Sequence, residues 1–272
     1  MIYDLHTHSI PSDGSLAPTD LLALAGQCGV DVLAITDHDT LGAYESLDIA
    51  GSSPKLVPGI ELSTSWRGIG VHIVGLSVDP GDPTLRRGVE VQRQNRVRRA
   101  TMIADRLSKH GIPDSLGAVL ESAGNDYIGR PHFAAHLLAA GYVKNTKDAF
   151  RKYLGPGKAG DVKHIWPTLE EVTGWIAAAG GVAVLAHPAK YRLTKTKLKS
   201  LAIDFRSAGG HAIEVVCGSQ SDSTTAALAR LANETGLGAS CGSDFHSPDY
   251  AWSRPGRFPK LPDGVTPVWE RW

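Results

Sequence analysis

Cysteine is scarce in this 272-residue chain: Cys28, Cys217 and Cys241 make three, an odd number, and no two are spaced as CxxC. That excludes a disulfide framework or a zinc knuckle as the organising device. The thiols are expected as small core residues in a reducing compartment. Charge of one sign is missing too, since Lys plus Arg and Asp plus Glu are both 28. No overall field then draws the protein to nucleic acid or a membrane surface, and an anionic substrate has to be captured locally. No stretch approaches the apolar length of a membrane span. MIYDLHTH opens without the basic stretch and apolar block of a secretory leader, so a cytoplasmic protein with no membrane contact is expected. No Ser or Cys sits in a recognisable nucleophile motif, and phosphate loops of the GxxxxGKS or GxGxxG type are absent, which points away from covalent catalysis and from loop-bound nucleotides.

What is present is a rhythm of short apolar runs, each ending in polar or ionisable residues: Ile2 to His6, Val32 to Thr36, Leu56 to Ile60, Val71 to Leu76, Val182 to Ala186, Ala212 to Cys217 and Leu237 to Ser240. Each has the length of a buried strand. Helical patterns lie between several of them, at Thr19 to Cys28, Leu169 to Ala179, Leu198 to Ala208 and Ser223 to Thr235. Strand, helix, strand in repetition predicts an α/β domain with a parallel sheet, open or closed into a barrel. The 30 Gly and 16 Pro fit the many tight connections this needs. From about residue 80 to 162 the rhythm breaks into a long polar helix with Arg86, Arg93, Arg96, Arg98, Arg99 and Arg106, then further helices through Tyr153. The reading is therefore 1–80 and 163–272 as the two parts of the α/β domain, with 81–162 as a helical insertion or lid. The tail from Pro248 is expected to be irregular and to pack back on the α/β domain.

The chemistry-bearing residues gather at strand ends. His6 and His8 are two apart, so in an extended chain they share a face and can address one ion together. Asp244 and His246 repeat the device after the last run. Asp37 and His38 follow the second run, Glu61 the third, His72 opens the fourth and His187 follows VAVLA. In parallel α/β barrels the carboxyl ends of the strands form the face where catalytic groups assemble. A single His beside an apolar run is ordinarily a hydrogen-bonded core residue. Six of 11 histidines in register with strand ends are not explained that way. Imidazole and carboxylate ligands without thiolate suit Mn, Fe or Zn.

DLHTHSIPSDG, ITDHDTLGA, PGIELSTSW, VHIVGL, AHP and GSDFH, in that order, resemble the motifs of the PHP (polymerase and histidinol phosphatase) superfamily over essentially the whole chain apart from the insertion. Within it the chain most resembles the RNase AM type, small bacterial proteins that act on nucleoside 3′,5′-bisphosphates and on the 5′ ends of RNA. GRPHFAAHL, FRKYLGPGK and IWPTLEEV are similar to that group's substrate-binding segments. The resemblance implies a distorted (β/α)7 TIM-like barrel with a small helical insertion. It implies two or three divalent ions, Mn foremost with Fe or Zn as alternatives: one on His6, His8, Glu61 and Asp244, a second on Glu61, His72 and His187, a third on Asp13, His38 and His246. Glu61 would bridge the first two.

Close cations acidify a shared water, neutralise phosphoryl oxygens and steady an in-line displacement, so no protein nucleophile is required. His187 and Asp244 are expected to support the resulting hydroxide. Arg130 and His132 are read as binding the 5′-phosphate of the substrate, a planar guanidinium being suited to grip phosphate with two hydrogen bonds. The plain alternative is a helix-start Arg in an ion pair and a His packed on the insertion. Lys158 in GPGK is a secondary anion contact, set against a solvated turn. The Arg93–Arg106 stretch reads as a solvated helix face that could guide RNA locally. His136, His110, His164 and His211 read as structural. The expected activity is hydrolysis of the 3′-phosphate of a nucleoside 3′,5′-bisphosphate, and release of 5′-mononucleotides from short 5′-phosphorylated RNA, with no obligate protein partner. Three rivals stand beside it: a phosphatase for another small monoester such as histidinol phosphate, a noncatalytic metal-binding regulatory protein, and a polymerase-associated PHP domain, for which the chain has no polymerase body. A structural metal site is usually closed at four ligands, which the larger ligand set exceeds.

Overall fold

The computed structural model describes residues 1–123, 127–162, 165–250 and 253–272, which leaves His164 outside. The chain forms two compact units, Met1–Val89 with Pro167–Trp272, and Glu90–Trp166. In the first unit, β1 (Tyr3–Thr7), β2 (Val32–Ile35) and β3 (Lys55–Leu56) pair in parallel in that order. A five-stranded sheet follows in chain order: β4 (Gly59–Trp66), β5 (Ile69–Leu76), β6 (Val182–Leu185), β7 (Ala212–Cys217) and β8 (Gly238–Gly242). Isolated parallel pairs, Thr7 with Phe245 and His38 with Glu61, link one sheet to the other. Among the described residues the α-helices are α1 (Pro18–Gln27), α2 (Pro83–Ser108), α3 (Ser115–Ala123), α4 (Arg130–Ala139), α5 (Thr146–Ala149), α6 (Leu169–Ala178), α7 (Lys195–Ser207) and α8 (Asp222–Thr235). No described helix is long and apolar enough to cross a membrane.

Local chemistry sets these boundaries. Pro18 opens α1, where its fixed φ suits the first turn and no hydrogen bond is lost. Thr168 and Glu171 close a reciprocal capping box on α6. Ser221 caps α8, which ends on Gly236 in the left-handed conformation. Strands β2 and β6 are buried along their whole length, which is why they read as unbroken apolar runs rather than alternating ones; β8 is buried throughout as well, on the small residues of GASCG. The main core packs Ile60, Leu62, Ile73, Leu185 and Ile213 of the second sheet with Ile176, Phe205 and Leu228 of α6, α7 and α8. Burying side chains of this size is worth about 1.5–3 kcal/mol each.

The expected parallel order fails at one place. β4 and β5 form an antiparallel hairpin, with Trp66 opposite Ile69 across Arg67 and Gly68. Both turn residues have positive φ, 47° and 76°, the type I′ geometry whose twist matches that of paired strands. β5 then pairs antiparallel with β6, and the parallel order resumes at β7. The third apolar run also divides: Leu56 belongs to the short β3, and Glu61 lies inside β4 rather than after a strand.

The C-terminal tail folds against β1 and β8. Gly256 N–H donates to Asp4, Pro267 pairs with Ala239, and Trp269 stacks on Tyr3 at 4.0 Å between ring centres. The second unit has its own core, in which Ile103 and Leu107 of α2 meet Val119, Phe133, Leu137 and Leu154.

Candidate metal centre

Glu61 is fully buried on β4, and five imidazoles surround its carboxylate. Oε1 lies 3.0 Å from His72 Nδ1 and 2.9 Å from His187 Nε2. Oε2 lies 3.2 Å from His6 Nε2, 3.3 Å from His8 Nε2 and 3.0 Å from His38 Nδ1. Asp244 Oδ1 sits 3.7 Å from His6 Nε2 and 3.3 Å from His8 Nε2. Asp13 approaches His246 Nε2 at 3.3 Å, with His38 Nε2 and His8 Nδ1 each at 3.8 Å. The nine residues singled out as ligands in the sequence thus form one continuous cluster.

The backbone explains how they meet. His6 is inside β1 and His8 just beyond it, and both project toward Glu61 while Leu5 joins the apolar core. Asp244 N–H donates to His6 O and His8 N–H to Phe245 O, each at 2.8 Å, which fixes the end of β8 against β1. Gly242 is required there, because a Cβ would run into the Cβ and backbone of His6. Glu61 N–H donates to Asp37 O and Glu61 O accepts from Asp39 N–H, setting the His38 loop beside β4. Asp37 is itself buried and accepts from Ser9 N–H at 2.7 Å and from the hydroxyls of Ser9 and Ser12, so it shapes the SIPSDG turn that presents Asp13. His187 and Asp244 have positive φ, 28° and 52°, a backbone cost that persists where surrounding structure demands it.

Charge in the cluster is sorted by environment. Burial works against ionising Glu61, yet His38, His6 and His72 hold its pKa well below the usual range. Asp244 is also held low against burial, by His6, His8 and Lys190, as is Asp13, by His38 and His246. Burial, with His246 and His38 nearby, pushes His8 down to about 3, and burial outweighs Glu61 in lowering His72 to about 4. His246 is raised to about 9, burial notwithstanding, by Asp13 and Asp244. His6 is likewise raised, burial notwithstanding, by Glu214, Glu61 and Asp244. Ionised acids beside His8 and His72 in their neutral form are donors suited to a divalent cation, which would displace the extra proton from His6 and His246 on binding.

The fit to a cation rests on geometry as well. His6 Nε2, His8 Nε2, Glu61 Oε2 and His187 Nδ1 are buried and make no hydrogen bond, although the first three crowd together. A buried polar atom without a partner costs about 1–3 kcal/mol, and an ion among these atoms would satisfy several at once. Three groups have ligand atoms within ion-holding range: His6, His8 and Glu61; His38, Glu61 and His72; and His8, Asp13, His38 and His246. His8 and His38 therefore adjoin more than one position. On the outer side Lys190 pairs with Asp244, and Lys190, Cys217, Ser219, Ser243, Asp244 and His246 line a cavity of about 330 Å³. A larger groove of about 530 Å³ between α7 and α8 carries none of the candidate ligands.

The residues read as substrate contacts lie in the second unit. Arg130 opens α4, donates to Leu154 O and faces the Phe150 ring. His132 Nδ1 accepts from Gly129 N–H, capping the same helix, with its ring 5.8 Å from that of Tyr127. Lys158 is exposed in a turn, its N–H on Gly155 O. The arginine stretch is not one solvated face. Arg93 and Arg98 are exposed, but Arg96 and Arg99 are buried, donating to Ile128 O and Val162 O. Their guanidinium groups lie over Tyr127 and Trp166. Burial, with Arg130 and Arg96 adding to it, pushes Arg99 down to about 9. His110 and His211 are held by the backbone, through Arg106 O and Ala183 N–H.

Residue-by-residue reading of the sequence missed Glu214 and the buried pair Arg96 and Arg99. An acid within the apolar AIEVVC was the available signal for the first. For the pair it was the spacing, which puts both on the stripe of α2 shared with Gln92, Ala100, Ile103 and Leu107.

No family model matches the chain. It is 41% identical over 270 residues to a 3′,5′-nucleoside bisphosphate phosphatase of Chromobacterium violaceum, covering 98% of this chain and 94% of that one. It is 40% identical over 271 residues to a 5′-3′ exoribonuclease of Haemophilus influenzae, covering 99% and 98%. Among solved structures it matches an amidohydrolase from Chromobacterium violaceum with a TM-score of 0.89 and 40% identity, covering 99% of this chain and 95% of that one. It also matches a protein from Bifidobacterium adolescentis assigned as a metal-dependent phosphoesterase, with a TM-score of 0.75 and 28% identity, covering 98% and 92%. The chain belongs to the family of metal-dependent phosphoesterases that holds nucleoside 3′,5′-bisphosphate phosphatases and 5′-3′ exoribonucleases.

Proposed function

We propose that this enzyme removes the 3′-phosphate of nucleoside 3′,5′-bisphosphates, leaving the 5′-mononucleotide, and by the same cut releases 5′-mononucleotides from 5′-phosphorylated RNA. The observation that carries this is the Glu61 cluster, a buried donor set with more ligands than a closed structural site uses. The substrate follows from the names of the relatives matched over nearly their whole length. In this reading His6, His8, Glu61 and Asp244 hold one ion, Glu61, His72 and His187 a second, and Asp13, His38 and His246 a third. Mn is the preferred metal, with Fe or Zn as alternatives. Bound cations supply Lewis acidity, acidifying a water and neutralising phosphoryl oxygens.

His187 and Asp244 serve a second purpose, holding the attacking water in line through groups whose backbone is locked at unusual φ. Arg130 and His132, with Lys158 as a weaker contact, bind the 5′-phosphate. The buried Arg96 and Arg99 near Arg130 support that role, since a phosphate offers the acceptors that clustered guanidinium groups need. The linking pairs Thr7 with Phe245 and His38 with Glu61 support a distorted (β/α)7 TIM-like barrel. Residues 81–162 act as a helical insertion or lid. The three cysteines are free, which suits a cytoplasmic enzyme.

Purified protein with added Mn is expected to convert adenosine 3′,5′-bisphosphate to AMP and phosphate. In a panel with 5′-phosphorylated RNA, 5′-hydroxyl RNA and histidinol phosphate, the bisphosphate and the 5′-phosphorylated RNA should be preferred. Turnover of histidinol phosphate alone would sink this reading. Arg130→Ala should raise KM for 5′-phosphorylated substrates roughly 10- to 100-fold, the worth of a charge-assisted hydrogen bond, with little effect on a generic phosphate ester. Equal losses on both would remove Arg130 from the clamp. Mn at a hundredfold excess over Kd should stabilise the wild type by about 2.7 kcal/mol in thermal unfolding, and Glu61→Gln should abolish that gain; an undiminished gain would remove Glu61 from the ligands.

A further inference from the structure

Glu214 sits near the middle of β7, is 2% exposed, and touches two different parts of the candidate metal centre. Its Oε1 lies 3.1 Å from His6 Nδ1 on β1. Its Oε2 accepts from the His187 backbone N–H at 2.5 Å. The β7–β8 register shifts between Glu214 and Val216, an irregularity of the kind that re-aims a side chain next to a site. We propose that Glu214 is a positioning residue for the metal centre, fixing His6 in the tautomer whose Nε2 can bind a metal and pinning the backbone turn that aims His187.

The case is one of donors and acceptors. A carboxylate offers only acceptor oxygens, and a neutral imidazole has one N–H and one lone pair. With Oε1 against Nδ1, the His6 proton belongs on Nδ1. The lone pair then falls on Nε2, the atom that faces Glu61 and Asp244 at 3.2 and 3.7 Å. A metal-bound His whose other nitrogen is held by a carboxylate is a recurrent arrangement. On the other side, His187 lies at φ 28°, outside any strand, and its N–H would be buried without a partner if Glu214 were gone. One side chain thereby couples a ligand of the first proposed ion to a ligand of the second.

An amide cannot replace this carboxylate. In Glu214→Gln the His187 N–H still requires an oxygen opposite it, so the amide NH2 must turn toward His6 Nδ1. That donor needs a lone pair on Nδ1, which drives the imidazole proton to Nε2 and removes the atom that would bind metal. Size and packing are otherwise kept.

The inference rests on the metal-centre reading, and the test separates the two. Mn binding to wild type and Glu214→Gln is measured by calorimetric titration, with metal content by elemental analysis and unfolding of the metal-free proteins as the folding control. The variant should unfold at nearly the wild-type temperature yet bind Mn roughly 10- to 100-fold more weakly, with stoichiometry reduced. Equal affinity and stoichiometry would overturn the role of Glu214. Failure of the wild type to bind Mn would instead defeat the metal-centre reading. Should the variant not fold, ¹⁵N chemical shifts of His6 in the metal-free wild type read the tautomer directly. The shifts are read at a pH high enough for the ring to be neutral, because Glu214, Glu61 and Asp244 raise the His6 pKa. The single proton is expected on Nδ1, and a neutral ring carrying it on Nε2 would overturn the proposal.

Discussion

The carboxylate of Glu61 is the point on which the site depends. Five imidazoles from four segments of chain converge on its two oxygens within 3.3 Å. Charges and dipoles of this density cannot be buried cheaply. Their assembly demands that strand ends be held in fixed register, and the details of the fold answer that demand. Gly242 lets β8 pass His6, the hydrogen bonds between β1 and residues 244–245 set their height, and Asp37 shapes the turn bearing Asp13. Left-handed backbone at His187 and Asp244 belongs to the same constraint.

Function and stability pull in opposite directions here. Several buried nitrogens and oxygens lack hydrogen bonds, at a cost of several kcal/mol against a total stability of the order of 5–15 kcal/mol. The apolar core built on Phe205, Ile213 and their neighbours offsets that cost. A divalent cation would convert the same atoms from a liability into ligands, so binding and folding are linked. Electrostatics divides in a corresponding way between the units. The first is organised around buried acids held ionised, and the second gathers the guanidinium groups of Arg96, Arg99 and Arg130.

The residues of the cluster were legible because most of them are polar residues ending or interrupting an apolar run, and such residues stand out against their surroundings. His6, His8, Asp244 and His246 also announced themselves by two-residue spacing. The strands and most helices of the first unit were legible for the same reason, buried runs being continuous and helices periodic. Three features were not. The β4–β5 hairpin hides behind Arg67, which is an unusual residue for a turn position of positive φ, where Asn or Asp would have signalled it. Arg96 and Arg99 look solvated because charge usually is, and only the packed structure shows aromatic rings and carbonyls receiving them. Glu214 has no neighbouring signature, since its partners lie 208 and 27 residues away.

In the proposed division of labour the Glu61 cluster supplies hydrolysis of a phosphate ester, and the arginines of the second unit supply the preference among esters. The most direct test of the first half is anomalous diffraction from crystals soaked in Mn. The account predicts peaks among His6, His8, Glu61 and Asp244, and beside Glu61 between His72 and His187. Mn found elsewhere, with none against Glu61, would contradict it.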